Sequence, residues 1–305
     1  MNTQSNAMPE SPVESQAVAL TAISPSRRMY WLVLRELWEY RWIYIAPLAA
    51  AGVFLFGFLV NMIRLRHRMP HTPAEQHEMF AVPYEFAAAL IMGTAFFVGI
   101  FYSLDTLYGE RRDRSILFWK SLPVSDVMTV LSKVTVPLVI LPLLAFAITV
   151  AAQIIMLLLS SVVLMGSGLS TTMLWTHSSF FHVSLTLFYH VVTVHGLWYA
   201  PLYGWLLLVS AWAPRAPFVW AFLPPFVIYG VEKIAFNTSY FLDTLADRLT
   251  GRSSMSMHPQ SATIDPWSAL IPDQFFSLPG LWIGLAIAAA FLYAAVRVRR
   301  YRGPI

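Results

Sequence analysis

The sequence contains no cysteine and few charged residues, and each deficit argues against a class of protein. Without cysteine, the 305-residue chain has no disulfide framework, no thiolate zinc finger and no iron–sulfur cluster. Asp, Glu, Lys and Arg make up only 12% of the residues, whereas a soluble domain contains about 25%. The net charge of +4 is too small to indicate nucleic-acid binding. We therefore expect neither a soluble domain nor a nucleic-acid partner.

Hydrophobic residues, in contrast, make up 57% of the chain and form long segments with few charges. A helix needs about 20 apolar residues to cross about 30 Å of hydrocarbon. Five segments meet this requirement, and a sixth is shorter but carries no charge. The sequence thus predicts an all-α integral membrane protein with six transmembrane helices, at about residues 43–63, 84–104, 134–158, 197–213, 218–234 and 278–296.

The distribution of basic residues predicts how these helices are oriented, because cytoplasmic loops are enriched in Lys and Arg. Six spans with both termini in the cytoplasm place most of the 20 Lys and Arg residues inside. A seventh span at 180–196 would move the basic C-terminal tail outside, so we interpret that segment as a helix at the outer interface. The expected location is the plasma (inner) membrane.

The two ends of the chain differ from the part predicted to span the membrane. Residues 1–26 are polar, contain prolines and lack the apolar core of a signal peptide. We expect them to form a disordered cytoplasmic tail. The transmembrane domain then covers 27–300, and 301–305 form a second cytoplasmic tail.

Residues 27–42 precede the first span and combine aromatic with charged positions. Trp31 and Trp38 fall on one helical face, while Arg28 and Arg35 fall on another. This pattern predicts an interfacial elbow helix, with its rings at headgroup depth and its guanidinium groups toward anionic lipid. Such a helix either simply anchors the first span or also contacts a cytoplasmic partner.

The most concentrated charge lies in the loop between the second and third spans. Five consecutive charged residues precede an apolar stretch and a proline-containing turn: Glu110, Arg111, Arg112, Asp113 and Arg114, then Leu122, Pro123 and Ser125. A short helix here would present charge to the cytoplasm and an apolar face to the membrane domain. Most such loops carry solvated charges that only set topology, but alternating signs suit a docking surface better. Ser125 or Asp126 can cap the start of the third span, and Lys133 is expected at the membrane surface.

This loop and the order of the elements resemble the permease subunits of ABC-2 type transporters. The resemblance rests on Gly-Glu-Arg-Arg, Leu-Pro-Val-Ser and Lys between spans two and three, and it covers most of the chain. It implies that residues 110–114 belong to the coupling helix, which sits in a groove of the ATP-hydrolysing subunit, and that Leu122, Pro123 and Ser125 form the following turn. The long segment between spans three and four, which contains several histidines, departs from the family pattern.

The chain has no G-x-x-x-x-G-K-[ST] loop that could hold ATP phosphates. The resemblance therefore implies a transport subunit that is not itself an enzyme and holds no cofactor, while a separate ABC ATPase binds ATP and Mg. A second permease subunit, identical or different, would complete the assembly within the lipid bilayer. Export is expected over import because nothing resembles a docking site for a binding protein. The transported substrate stays open.

Four histidines, His177, His182, His190 and His195, support the main alternative, a metal- or haem-binding membrane enzyme or redox subunit. Their spacing puts no pair cleanly at i, i+4, and neither thiolates nor neighbouring carboxylates accompany them. We interpret them instead as part of a polar seam at the outer interface. A third possibility is a membrane scaffold or immunity protein, which would share every feature except a cognate ATPase.

Ionisable residues inside the predicted spans are scarce, and none lies at the centre of a span. Glu232 and Lys233 adjoin each other near the outer end of the fifth span and are placed to form an ion pair. This scarcity argues against a proton- or sodium-coupled carrier, whose ions need polar sites within the bilayer.

Overall fold

The computed structural model describes residues 24–65, 73–122, 124–166, 180–250 and 275–305, and the regular structure in these ranges is helical. Two π-helical segments, Val136–Ile140 and Val191–Trp198, continue the helix Asp126–Thr135 into Leu141–Gly166 and extend Phe180–His190 toward Ala200–Trp212. The helices are α1 (Pro25–Glu39), α2 (Trp42–Leu65), α3 (Pro73–Arg112), α4 (Ser115–Ser121), α5 (Asp126–Thr135), α6 (Leu141–Gly166), α7 (Phe180–His190), α8 (Ala200–Trp212), α9 (Pro217–Phe236), α10 (Tyr240–Thr250) and α11 (Pro279–Tyr301).

The long apolar helices make the chain a multi-pass membrane protein. The described residues contain five that can cross a membrane by length and composition: Trp42–Ile63, Val82–Arg112, Asp126–Val162, Pro217–Phe236 and Pro279–Tyr301. A sixth results if Leu187–Trp198 and Ala200–Trp212, which meet at an angle of 44°, form one broken span.

This broken element changes the interpretation of segment 180–196, which we expected to be a separate interfacial helix. Here α7 runs through the π-helical segment to a break at Tyr199, whose backbone N–H donates to Val194 O over 3.0 Å. Pro201 lies in the first turn of α8 and lacks the N–H that would continue the helix across the break. With 13 residues, α8 alone covers only about 20 Å, so the predicted span at 197–213 is one part of a longer element.

Close packing of α8 against α11 forms the centre of the bundle. A Cβ atom on Gly204 would lie 3.3 Å from the carbonyl oxygen of Ala288, so the missing side chain lets the two backbones approach closely. Nearby, Leu207 of α8 packs in one apolar cluster with Leu107 of α3 and Ala295 of α11. Small residues at the contact thus bring α3, α8 and α11 together.

The helix α9 lies at the edge of this core. Of its 20 residues only Ala221 is buried, and most of its other apolar side chains are exposed, while Trp220 packs against Trp212 with ring centroids 4.8 Å apart. Hydrocarbon solvates such a surface as well as a protein core does, so an exposed apolar helix fits a chain that spans a membrane.

The two ends of the bundle differ in chemistry. We call the end formed by the last turns of α3 and α11 and the start of α5 the charged end. At the opposite end α10 lies across the broken span, where Trp198 Nε1 donates to Arg248 O at 3.0 Å and the Tyr199 hydroxyl donates to Leu249 O at 2.8 Å. The Arg248 guanidinium packs onto the bare backbone of Gly284, and this partial burial lowers the pKa of Arg248.

Glu232 caps α10. Its carboxylate accepts the backbone N–H groups of Tyr240 at 2.7 Å and Phe241 at 3.0 Å, together with the Thr238 hydroxyl at 2.9 Å. The first N–H groups of a helix lack partners within the helix, and a carboxylate there also complements the helix dipole. The contacts of Glu232 are therefore those of a helix cap, where we expected a pair with Lys233.

Candidate functional site at the charged end

Lys133 lies at the centre of the charged end and is only 1% exposed, although the sequence places it at the membrane surface. Its ammonium is 2.9 Å from Glu36 Oε1, 3.0 Å from Glu110 Oε1 and 2.8 Å from the Thr106 hydroxyl. The ammonium donates hydrogen bonds to Glu36 Oε1 and to the Thr106 hydroxyl, and it lies within ion-pair distance of Glu110 Oε1. Burial of this charge is tolerated because two carboxylates and a hydroxyl surround it.

Arg299 extends this arrangement to the last transmembrane helix. Its Nη2 lies 2.9 Å from Glu110 Oε2, and its Nη1 lies 2.6 Å from Asp126 Oδ1. One guanidinium therefore links α11 to both α3 and α5. On the other side, the remaining oxygen of Glu36 accepts the hydroxyls of Tyr102 at 2.8 Å and Thr106 at 3.1 Å.

These residues form one group, which we call the buried charge cluster: Glu36, Glu110, Asp126, Lys133 and Arg299, with Arg35 at its edge. Arg35 Nη1 lies 3.8 Å from Glu36 and 4.0 Å from Glu110, while its Nη2 lies closer to Glu39, at 2.7 Å. The cluster joins α1, α3, α5 and α11. Removal of one partner from a buried ion pair commonly costs about 3–5 kcal/mol, because the other charge is left buried without a counterion.

Arg111 is also buried, but it acts on backbone groups. Its guanidinium donates to the carbonyl oxygen of Ser210 at 3.2 Å and to that of Ala213. Both carbonyls lie at the C-terminal end of α8, where backbone acceptors have no partner within the helix. Arg111 therefore ties the end of α3 to the end of α8.

The remaining three residues of the charged run are exposed. Arg112 Nε donates to Asp113 Oδ1 at 3.0 Å, and both side chains are more than half exposed. Arg114 has a φ of 60° in the left-handed region, which ends α3 and redirects the chain into α4. The sequence predicts one charged face for all five residues of 110–114, whereas the structure buries the first two and exposes the last three.

The short helix α4 follows this turn, and only one of its apolar residues packs inward. Ile116 is buried, while Leu117 and Phe118 are 57% and 59% exposed. The turn after α4 contains Leu122, whose backbone is extended, and Pro123 lies outside the described residues. Ser125 caps α5 as expected, since its hydroxyl accepts the Met128 N–H at 3.2 Å.

The elbow predicted at 27–42 is the helix α1. Trp31 and Trp38 are exposed along it and Arg28 is half-exposed, as suits a helix at an interface. Arg35 connects this helix to α4, because its guanidinium carbon lies 3.5 Å from the ring centroid of Trp119. The elbow therefore contacts the short helix directly.

Two further residues of the charged end escape notice in the sequence. Glu36 looks like part of the polar face of the elbow helix beside Arg35, yet it is buried against residues far along the chain. Tyr40 follows α1, and its hydroxyl donates to Asp105 Oδ2 at 3.3 Å. Burial, reinforced by the charge of Asp105, raises the pKa of Tyr40, so its hydroxyl stays protonated as a donor.

The histidines are brought together only in part. The rings of His190 and His195 lie 5.7 Å apart between centroids. His177 and the side chain of His182 lie outside the described residues. In the described part of the chain, no group of three or more His, Asp or Glu side chains is placed to hold a metal ion.

Comparison with known proteins assigns no family to this arrangement. No protein-family model matches the chain, and neither a curated protein nor a solved structure matches it. A function has to be argued from the geometry of the charged end.

Proposed function

We propose that the chain is the membrane-spanning permease subunit of an ABC-2 type transporter. In this proposal it has six spans, the broken element being the fourth, and both termini lie in the cytoplasm with the charged end. A separate ATPase subunit hydrolyses ATP, and this chain couples that hydrolysis to export of a substrate through the plasma membrane.

The observation that carries the proposal is the surface of α4. Leu117 and Phe118 are exposed at the charged end of the bundle, beside the exposed charges of Arg112, Asp113 and Arg114. Large apolar side chains that point away from a bundle next to charged groups are typical of a contact with another protein. A helix in this position, between two long spans, is where the family's coupling helix contacts its ATPase.

The connections behind α4 suit the transmission of a movement into the membrane helices. Arg35 stacks on Trp119 and so links α4 to α1. Lys120 Nζ donates to the carbonyl oxygens of Arg300 at 3.3 Å and Arg302 at 3.0 Å, which links α4 to the end of α11. A displacement of α4 by the ATPase would therefore act on α1 and α11 together.

The buried charge cluster then determines which helices move as a unit. It joins α1, α3, α5 and α11 through ion pairs that are costly to separate. Among the described residues, α9 contributes no side chain to this cluster, and a hydrogen bond from Trp205 Nε1 to Ala221 O at 3.0 Å joins it to α8. We expect the linked helices to rock as one body relative to α9 when the ATPase subunits close.

The decisive experiment is purification of the tagged full chain from its native host in mild detergent, followed by identification of the proteins that accompany it. We expect a stoichiometric protein with a G-x-x-x-x-G-K-[ST] loop. The double variant Leu117→Asp, Phe118→Asp should lose this partner, as should Arg112→Glu, Arg114→Glu. The control Arg27→Glu, Arg41→Glu changes two exposed arginines away from α4 and should retain the partner.

Three outcomes would count against the proposal. If no ATPase accompanies the intact chain, the chain is not a permease subunit of this type. If a partner without an ATP-binding loop binds in its place, the scaffold or immunity interpretation is favoured. If the ATPase is retained by both α4 variants, the contact lies elsewhere and the role of α4 is wrong.

A further inference from the structure

An apolar groove of about 290 Å³ runs along the outside of the bundle between α5 and α11. Its walls include Val127 and Leu131 from α5 and Leu292 and Val296 from α11. Val127 and Leu131 are about half exposed, so the groove opens outward from the bundle. In a membrane-spanning chain this surface faces the lipid phase near its boundary with water.

Two arginines, Arg297 and Arg300, border the groove at the charged end. They are three positions apart on α11 and so lie on one face of the helix. Both are exposed, and within the described residues neither lies within ion-pair distance of a carboxylate. The nearby carboxylate of Asp126 is already bound to Arg299 at 2.6 Å, so it does not neutralise them.

The groove is therefore amphipathic along its length. Leu292 and Arg300 are separated by about 12 Å along α11, with the apolar wall toward the middle of the helix and both cations at its end. Lys120 adds a further positive charge here, because its ammonium is held at the carbonyl oxygens of Arg300 and Arg302. An apolar groove that ends in several cations complements a molecule with an apolar chain and an anionic head.

We propose that this groove is a binding site for an anionic phospholipid of the leaflet that surrounds the charged end. The acyl chain lies against Val127, Leu131, Leu292 and Val296, and the phosphate lies between Arg297 and Arg300. Basic pockets between transmembrane helices are a recurrent means of binding anionic headgroups. Arg297 contacts the Tyr301 ring and hydroxyl, but within the described residues neither arginine lies within ion-pair distance of a carboxylate. The two charges therefore favour a lipid over an apolar helix of another protein, which would leave both without a counterion. The site goes beyond the transport proposal and does not depend on it, since no ATPase or substrate is involved.

Native mass spectrometry of the delipidated full chain tests this site with phosphatidylglycerol and phosphatidylcholine of identical acyl chains. We expect tighter binding of phosphatidylglycerol. The double variant Arg297→Gln, Arg300→Gln should weaken phosphatidylglycerol binding by about 25-fold, because each basic side chain near an anionic surface contributes about fivefold in affinity. Phosphatidylcholine binding should change by less than about twofold in the same variant, because the acyl contacts are retained.

The matched control is Arg41→Gln, Arg215→Gln, which removes two exposed arginines outside the groove and should preserve the preference for phosphatidylglycerol. A groove-filling variant, Leu131→Trp, should weaken both lipids because it occupies the space of the acyl chain. A variant is used only if its thermal unfolding temperature and its elution volume match those of the wild type. If Leu131→Trp does not fold, the double variant Arg297→Gln, Arg300→Gln alone decides the result.

The proposal fails if the wild-type chain binds both lipids equally, or if Arg297→Gln, Arg300→Gln retains the preference for phosphatidylglycerol. It also fails if that variant changes the mass of the assembly without changing lipid binding, since a second copy of the chain would then occupy the groove. Because the measurement uses the chain alone, these failures are distinct from failure to find an ATPase.

Discussion

Glu110 and Arg111 lie inside the bundle, whereas Arg112, Asp113 and Arg114, the next residues of the same charged run, lie on its surface. The buried pair has partners on other helices: Lys133 and Arg299 for Glu110, and backbone carbonyls of α8 for Arg111. The exposed three lie at the end of α3 and in the turn that follows it, where Arg114 redirects the chain into α4.

The difference shows that local charge density does not determine the role of a charged residue. Within one run of five residues, two hold helices together and three are free to contact another molecule. What distinguishes them is whether a counterion or backbone acceptor from a distant part of the chain reaches the same place, because an unpaired charge is not tolerated in the interior. Substitutions of buried and exposed charged residues at this end of the bundle can test the division, and they are given in order of decreasing expected effect.

The largest effect is expected for Lys133→Met, which leaves Glu36 and Glu110 buried without their shared cation. We expect a loss of about 3–5 kcal/mol in the free energy of unfolding, measured as a large drop in thermal unfolding temperature in detergent. The control Lys233→Met removes an exposed lysine outside the cluster and should have little effect. Equal unfolding temperatures for the two variants would contradict the claim that the buried charge cluster stabilises the fold.

A smaller loss is expected for Arg111→Met, which removes hydrogen bonds to the carbonyls of Ser210 and Ala213. Buried acceptors without partners cost about 1–3 kcal/mol, so unfolding should occur at a lower temperature but less markedly than in Lys133→Met. Hydrogen exchange should increase at the C-terminal end of α8. If exchange there stays unchanged, Arg111 does not cap that helix.

Arg35→Gln is expected to have a moderate, local effect, because it removes the stacking of the guanidinium on Trp119. A cation–π contact at a partly exposed site contributes about 0.5–2 kcal/mol. Limited proteolysis should therefore cleave within Ser115–Ser121 more readily in this variant than in Arg27→Gln, which alters an exposed position of the same elbow helix. Identical cleavage rates would show that the elbow does not hold α4 in place.

The smallest effect is expected for Arg112→Gln, because the pair with Asp113 is exposed to solvent. Such surface pairs contribute about 0–1 kcal/mol and are screened by salt. The unfolding temperature should stay close to that of the wild type, and any difference should disappear at high ionic strength. A large destabilisation would mean that the exposed half of the run is structural after all, and it would weaken the proposed docking surface.

Several features were predicted from the sequence because they depend on short segments. The helix α1 with exposed Trp31 and Trp38 and the cap at Ser125 follow from residue spacing within a few turns. The short helix was expected to present the charged residues and to pack its apolar face inward, whereas α4 begins after the charged run and exposes Leu117 and Phe118. The bend that joins α7 to α8 was not predicted, because α8 by itself is too short to cross a bilayer and the preceding segment 180–198 carries histidines and hydroxyls. Only the structure shows that the two helices meet near Tyr199 at an angle of 44° and together are long and apolar enough to cross a membrane.

Sequence alone determined that this is an all-α, multi-pass membrane protein, because transfer of a helix into hydrocarbon depends on the summed polarity of a continuous segment. Tertiary structure alone decided which charges are buried. Lys133 is separated by 97 residues from Glu36, and Arg299 by 189 residues from Glu110. No local pattern encodes these pairs, because they form only when the packing of α3, α8 and α11 brings distant segments to the same end of the bundle.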